Sequence, residues 1–170
     1  MIRKPQVHEA ETIQNLILLF TENGKILPRG IEDIRKNIED FLVYEVDGQI
    51  VATCCLKSGW DKAVEIRSLC VDSRYQGKGI ATLLVESCIE SALDSGWDQV
   101  FVLTYVPPLF EQFGFNVVDK DFLPMKVWND CQACLHRETC DEIAMTLPLV
   151  PLKNGESGTP QKIRIAADKS

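Results

Sequence analysis

Residues 71–86 read VDSRYQGKGIATLLVE. An apolar run ends at Val71, glycines stand at positions 77 and 79, and a helical pattern begins at Ile80. A helix that starts on a glycine-rich turn exposes its first backbone N–H groups, and its dipole adds partial positive charge there. Gly77 and Gly79 let an anion approach those donors closely. The run Gln76, Gly77, Lys78, Gly79, Ile80, Ala81 and Thr82 is therefore a candidate cradle for a pyrophosphate, with Lys78 as a mobile charge at its rim. The G-x-x-x-x-G-K-[ST] pattern of nucleotide P-loops is absent. So is G-x-G-x-x-G, because Gly77-x-Gly79 is followed by Thr82. On these residues alone, a plain strand–turn–helix connection with two incidental glycines stands beside the cradle.

The surrounding composition limits what such a cradle can serve. Hydrophobic residues make up 45% of the 170, enough for one domain with a full core and no disulfide support. A formal charge of −7 and a pI of about 4.9 disfavour nucleic acid as a partner. An anionic small ligand then needs donors clustered locally against that field. No apolar run approaches the roughly 20 residues that span a bilayer. Met1-Ile2-Arg3-Lys4-Pro5-Gln6 has no hydrophobic segment behind it, so a secretory signal is not expected. The seven cysteines, an odd number, fit reduced thiols in a cytoplasm.

Outward from the loop, the periodicity alternates between strand and helix. Met1 to Val7 is expected as a first strand and residues 8–22 as a helix, with Ile13, Leu16, Ile17 and Phe20 on one face. A short helix after Pro28 places Ile31, Ile34 and Ile38 together. FLVYEVDGQIVATCCLK, residues 41–57, is a hairpin turning at Asp47-Gly48. AVEIRSLCVD is the strand before the loop. Residues 78–95 form the longest helix, with Ile80, Leu83, Leu84, Cys88 and Leu93 expected inward and Gly96 as its stop. QVFVLTY is a buried strand, Pro107-Pro108 opens a short helix through Phe113, and Phe115 to Val118 is extended. EIAMTLPL is a last strand. The domain is expected over residues 1–150, and residues 151–170, rich in Gly, Ser, Pro and charge, as a disordered tail.

Gln76, Gly79 and Ala81 match the Q/R-x-x-G-x-G/A signature of the GNAT N-acetyltransferases, which this chain resembles over about residues 1–149. VFVLTY and PPLFEQFGF resemble a second conserved block of that family. The resemblance implies an α/β (α+β) GNAT fold: a mixed twisted sheet splayed between two central strands, with helices on both faces. It implies acetyl-CoA as co-substrate, its pantetheine arm lying between strands 63–72 and 100–105 and meeting backbone at Leu69, Cys70 and Val71. The pyrophosphate would sit on residues 76–82. Glu65 falls where some members place their general base. A surface carboxylate paired with Arg67 or Lys62 is the other reading of Glu65. A backbone N–H of Leu69 or Cys70 would meet the oxyanion. Many members carry a tyrosine where this chain has Phe110, so water, an unaided thiolate or Tyr105 takes over the leaving group.

GKILPRG, residues 24–30, and FGFNVVDKDFLPMKVW, residues 113–128, narrow the likeness to the acetyltransferase domain of N-acetylglutamate synthases. By matching position Arg29 would bind a substrate carboxylate, as a planar guanidinium suits. A plain loop arginine is the alternative. Lys126 and Arg67 are secondary candidates for the other carboxylate, or solvated charges. The implied reaction converts acetyl-CoA and L-glutamate to N-acetyl-L-glutamate and CoA, the entry to arginine biosynthesis. The likeness does not include the kinase-like domain through which better-known synthases sense arginine, and a homodimer is an assembly common in the family.

DCQACLHRETC places Cys131, Cys134, His136 and Cys140 close enough in sequence to hold a structural Zn²⁺, although no second C-x2-C pair accompanies them. Free thiols or a redox pair fit the same spacing. Cys54, Cys55, Cys70 and Cys88 fall on core positions, and His8 on a helix start without chemistry. Two functional rivals stay open on the sequence. One is a GNAT enzyme acting on glutamine, a polyamine or a protein amine. The other is a nonenzymatic acetyl-CoA-binding sensor.

Overall fold

The computed structural model describes residues 1–22, 26–60, 62–120, 123 and 142–149. A seven-stranded sheet runs in the order β1-β2-β3-β4-β5-β7-β6. In chain order the elements are β1 (Ile2–Arg3), α1 (Ala10–Thr21), α2 (Ile31–Lys36), β2 (Phe41–Val46), β3 (Gln49–Trp60), β4 (Ala63–Val71), α3 (Ile80–Asp94), β5 (Gln99–Thr104), α4 (Pro107–Glu111), β6 (Asn116–Val117) and β7 (Ile143–Pro148). β4 and β5 pair in parallel, and the other neighbours pair antiparallel. A parallel pair needs a crossover, and α3 supplies it.

The local signals explain most of these boundaries. Asp47 and Gly48 both take positive φ, 49° and 77°, which matches the twist of a two-residue hairpin between β2 and β3. α3 ends in a Schellman motif: Gly96, at φ 76°, donates to Leu93 O and Trp97 donates to Ala92 O, each at 3.1 Å. β1 is shorter than the periodicity predicts. Pro5 has no N–H for a ladder, and the chain turns into a 3₁₀ turn at Val7–Glu9.

The helices cover both faces. Ile13, Ile17, Ile34 and Ile38 pack with Phe41, Val43, Cys55 and Cys70 on the α1/α2 side. Leu84, Val85, Cys88, Ile89 and Ala92 pack with Val64, Ile66, Val100 and Val102 on the α3 side. Two residues expected inward on α3 are not: Leu83 is 41% and Leu93 37% exposed. At about 100° per residue, Ile80, Leu84, Val85, Cys88, Ile89 and Ala92 form one stripe. Leu83 falls almost opposite its centre and Leu93 beyond its edge. The four cysteines expected in the core are buried, and Cys54 and Cys88 bring their Sγ atoms to 3.2 Å across the β3–α3 interface.

Arg3 ties the N-terminal rim together. Its guanidinium donates to both oxygens of Glu9, at 2.7 and 2.8 Å, and its Nε donates to Glu45 at 2.6 Å. Glu9 also accepts from the Gln6 N–H at 2.8 Å. The Arg3 hydrogen bonds pull the Glu9 carboxyl from 4.5 down to about 2. Its folded value lies below its unfolded one, so the contribution is complete above about pH 4.5 and fades as pH falls towards 2. Glu9→Gln is expected to lower stability at pH 7 by about 2 kcal/mol. Urea titrations at pH 7 and near pH 2 check this, and the difference between variant and parent should shrink at the lower pH.

Candidate functional site

β4 and β5 are paired from Ala63↔Gln99 to Glu65↔Phe101 and not beyond. Past Glu65, β4 stays with β3 while β5 stays with β7 through Thr104↔Ile143. The two strands therefore part, and β4 turns the backbone of Ile66 to Val71 towards an opening instead of a neighbouring strand. Leu69, Cys70 and Val71 lie on that stretch, where the pantetheine arm is expected.

A β-bulge accompanies the parting. Cys55 pairs with Arg67 and Thr53 with Cys70, so Cys54 faces both Ser68 and Leu69. Ser68 takes φ 54°, a conformation that costs a non-glycine residue about 1–2 kcal/mol. It is 3% exposed, and its hydroxyl makes no hydrogen bond among the described residues. Sequence reasoning missed this residue, and a serine carries no signal for positive φ.

The loop after β4 is built by short-range hydrogen bonds. Asp72 Oδ1 accepts from the Arg74 N–H at 2.9 Å, and the Arg74 side chain reaches both Asp72 oxygens at 3.1 and 2.8 Å. These bonds, led by the side-chain contact, hold the Asp72 carboxyl below its usual value. Gln76 Nε2 donates to Val71 O at 3.0 Å, so the glutamine of the signature also fastens the loop to the end of β4. Lys78 Nζ stands 5.0 Å from the Tyr75 ring centroid. Gly77 and Gly79 take φ 73° and 79°, and a Cβ at either would meet nothing within 4 Å. Gly79 is the N-cap of α3 and offers no capping side chain, so the first helical donors at Ile80, Ala81 and Thr82 face outward. The positive φ of both glycines and the uncapped first turn are features that an anion cradle would use.

On the α1/α2 side, β3 and β4 carry a ladder of charge. Lys57 stands opposite Glu65 and Cys55 opposite Arg67. Arg67 Nη1 lies 3.9 Å from Glu65 Oε2, with side chains 13% and 10% exposed. Neither is a solvated surface charge, and Lys62 instead pairs loosely with Asp98 at 3.9 Å. Lys57 Nζ binds Asn37 Oδ1 at 2.8 Å and Asp40 Oδ2 at 3.3 Å. Burial pushes the Cys55 thiol up to about 12 against the opposing pull of Arg67 and Arg29. Ile26 and Ile31, on either side of the Arg29 loop, pack with Cys55 and Cys70, so the loop lies on the side of the sheet to which Cys55 and its partner Arg67 belong. The Arg29 loop is tied to α1 by Gln14 Nε2, which donates to Arg29 O at 3.0 Å.

The remaining sequence candidates separate. Tyr105 follows β5 at the open end of the parted strands and is 43% exposed. Phe110 is 2% exposed and packs edge-on to Phe115 with ring centroids 5.4 Å apart, so it is a core residue of α4. Lys126 and the cluster of Cys131, Cys134, His136 and Cys140 lie outside the described residues, as does the expected tail. Among the described residues no helix is long and apolar enough to cross a membrane.

The sheet parts beside a glycine-rich helix start, an arrangement with room for a long phosphorylated ligand between two strands. Residues 8–115 match the acetyltransferase (GNAT) family, and the chain belongs to it. It is 35% identical over 148 residues to an uncharacterized N-acetyltransferase of Chlorobaculum tepidum, covering 87% of this chain and 96% of that one. It is 30% identical over 127 residues to the amino-acid acetyltransferase of Shewanella oneidensis, covering 74% of this chain but 28% of the relative. The N-acetylglutamate synthase of Neisseria gonorrhoeae, solved with coenzyme A and N-acetyl-glutamate, shares the fold. Its TM-score is 0.79 at 24% identity, over 88% of this chain and 35% of that one. The chain thus spans under a third of the Shewanella relative and about a third of the Neisseria chain. The protein is a GNAT N-acetyltransferase.

Substituting Gly79 tests the cradle. Gly79→Ala adds a Cβ at positive φ in otherwise open space, so the protein should lose only about 1 kcal/mol of stability. The same Cβ would project where an anion approaches. Calorimetry with acetyl-CoA should then show affinity weakened at least tenfold.

Proposed function

We propose that the protein transfers the acetyl group of acetyl-CoA to the α-amine of L-glutamate, giving N-acetyl-L-glutamate and CoA at the entry to arginine biosynthesis. The observation that carries this reading is that the Arg29 loop lies on the side of the sheet that carries the Glu65–Arg67 pair, beside the parted strands. Two guanidiniums favour an acceptor with carboxylates over a polyamine, which two cations would repel.

Residues 76–82 bind the pyrophosphate, with Lys78 at the rim, and the backbone of Leu69, Cys70 and Val71 guides the pantetheine arm. Glu65, acting directly or through water, takes a proton from the acceptor ammonium, because an amine attacks only after losing it. The freed nitrogen adds to the thioester carbonyl, and a backbone N–H of Leu69 or Cys70 meets the oxyanion. As the tetrahedral intermediate collapses, the nitrogen gives its second proton to solvent, the C–S bond breaks and the amide forms. Tyr105 returns a proton to the departing thiolate, because Phe110 has no hydroxyl to offer. Arg29 binds one acceptor carboxylate, and Arg67 and Lys126 are the candidates for the other. No step in this scheme calls on the cysteine cluster.

Incubation with acetyl-CoA and a panel of free amino acids, followed by mass spectrometry of the products, tests the assignment. N-acetylglutamate is expected to dominate. Binding of acetyl-CoA with no acetylated amino acid would sink the reading in favour of another acceptor or a sensor. Glu65→Gln is expected to lower kcat/KM by about 100-fold and to remove the acid limb of its pH profile. An unaltered profile would rule Glu65 out as the base.

A further inference from the structure

Ser68 belongs to the β4 bulge, where it and Leu69 together stand against Cys54. Arg67 before it belongs to the face of Cys55, and Leu69 after it packs against the core on the α3 side. Its φ of 54° is one that a glycine adopts without strain. The side chain carries a second cost. Ser68 is 3% exposed, and among the described residues its Oγ has no hydrogen-bond partner. Cys70 Sγ approaches the Ser68 carbonyl oxygen at 3.5 Å, a contact that leaves the hydroxyl unanswered. A buried hydroxyl without a partner has lost its hydration and gained no bond to offset the loss. A glycine at this position would avoid both costs.

Two penalties at one residue point to function when chemistry nearby can offset them. Ser68 lies on Ile66 to Val71, the stretch of β4 that β5 no longer pairs with. In the sequence it stands three positions after Glu65, the proposed base, and directly before Leu69 and Cys70, whose N–H groups are the proposed oxyanion donors. A single backbone N–H gives the developing oxyanion one hydrogen bond, and each further donor aimed at that oxygen lowers the barrier. A serine hydroxyl has an O–H to give. Rotation about χ1 carries that O–H between staggered positions without moving the backbone.

We propose that Ser68 is a catalytic residue of the acetyl transfer: its Oγ–H donates a hydrogen bond to the carbonyl oxygen of the thioester and holds that oxygen through the transition state, beside the backbone N–H. The assignment rests on acetyl transfer from acetyl-CoA and not on which amine accepts. As the amine nitrogen bonds to the carbonyl carbon, the C=O π pair moves onto the oxygen. Ser68 donates to that oxygen and keeps its own proton. As the C–S bond breaks, its electron pair leaves with the sulfur and the oxygen's pair returns to form the amide carbonyl. The thioester oxygen thus supplies the partner that the fold does not, and the strained bulge sets the hydroxyl between the base and the backbone donors.

Infrared spectroscopy of acetyl-CoA with an isotope-labelled carbonyl carbon, bound to the parent protein and to Ser68→Ala, reads the contact without turnover. A hydrogen bond weakens the C=O bond, so the band should lie at higher frequency in Ser68→Ala than in the parent. In the same variant kcat should fall by about tenfold or more, while the Kd for CoA and the KM for the acceptor stay within about twofold. The melting temperature should not fall, because the substitution deletes a hydroxyl that the protein leaves unpartnered. Ser68→Gly, which also relieves the positive φ, should show the same band and the same loss of kcat, and it serves as the test if Ser68→Ala does not fold. An unmoved carbonyl band, or a kcat at the parent level, would overturn the assignment. A loss confined to the acceptor KM or to CoA affinity would also overturn it, since the hydroxyl would then serve the acceptor or the pantetheine arm. A parent protein that acetylates no amine would defeat the transfer reaction instead, and the band comparison would still decide the contact.

Discussion

The parting of β4 from β5 after Glu65 is the constraint on which the rest of the structure depends. A sheet interior normally satisfies each backbone donor and acceptor on both sides. Here β3 and β7 hold their partners over long registers, and three residue pairs join the two halves. The short parallel junction positions α3, because a parallel crossover must return over the sheet. It therefore also sets where the first turn of α3 points. The Ser68 bulge lies in the parted stretch and redirects the backbone there at the cost of a left-handed serine. The cleft, the candidate cradle and the candidate acceptor face thus all adjoin one break in pairing.

Electrostatics work locally against the overall charge. The chain carries a net −7 and is proposed to bind two polyanionic or dicarboxylic ligands. Backbone donors at the start of α3 provide positive potential without titratable groups. On the other face, guanidiniums sit among buried neighbours, where their field is less screened than at the surface. Arg67 pairs with Glu65 and the neighbouring Lys57 with Asp40, which limits the charge that burial alone would make costly.

Much of this was readable from particular residues. Asp47-Gly48, Gly77, Gly79 and Gly96 each stand where a positive φ is required, so their positions told where strands turn and where α3 starts and stops. Strand alternation in VEIRS places Glu65 and Arg67 on one face. That α1 and α2 would cover this face, leaving the pair nearly dry, is a tertiary outcome with no local signal. The bulge was illegible for the same kind of reason, since nothing in a serine marks it. The outward Leu83 and Leu93 show that apolar identity is weaker than helical angle: six better-placed residues filled the stripe first. The length of β1 was overread because its alternation continued past Pro5, where the ladder cannot.

The two rims of the sheet carry a consequence for assembly. Among the described residues β1 and β6 are the outermost strands, two residues long each, and β1 is locked by Arg3 into the Glu9 and Glu45 carboxylates. Short rims present few backbone groups in a row for another chain to template on. Association of two copies by extending the sheet through these rims is therefore disfavoured. Two copies meeting at the described surface would rely on side-chain contacts, where charge and shape set recognition, instead of a shared hydrogen-bonded ladder at these rims.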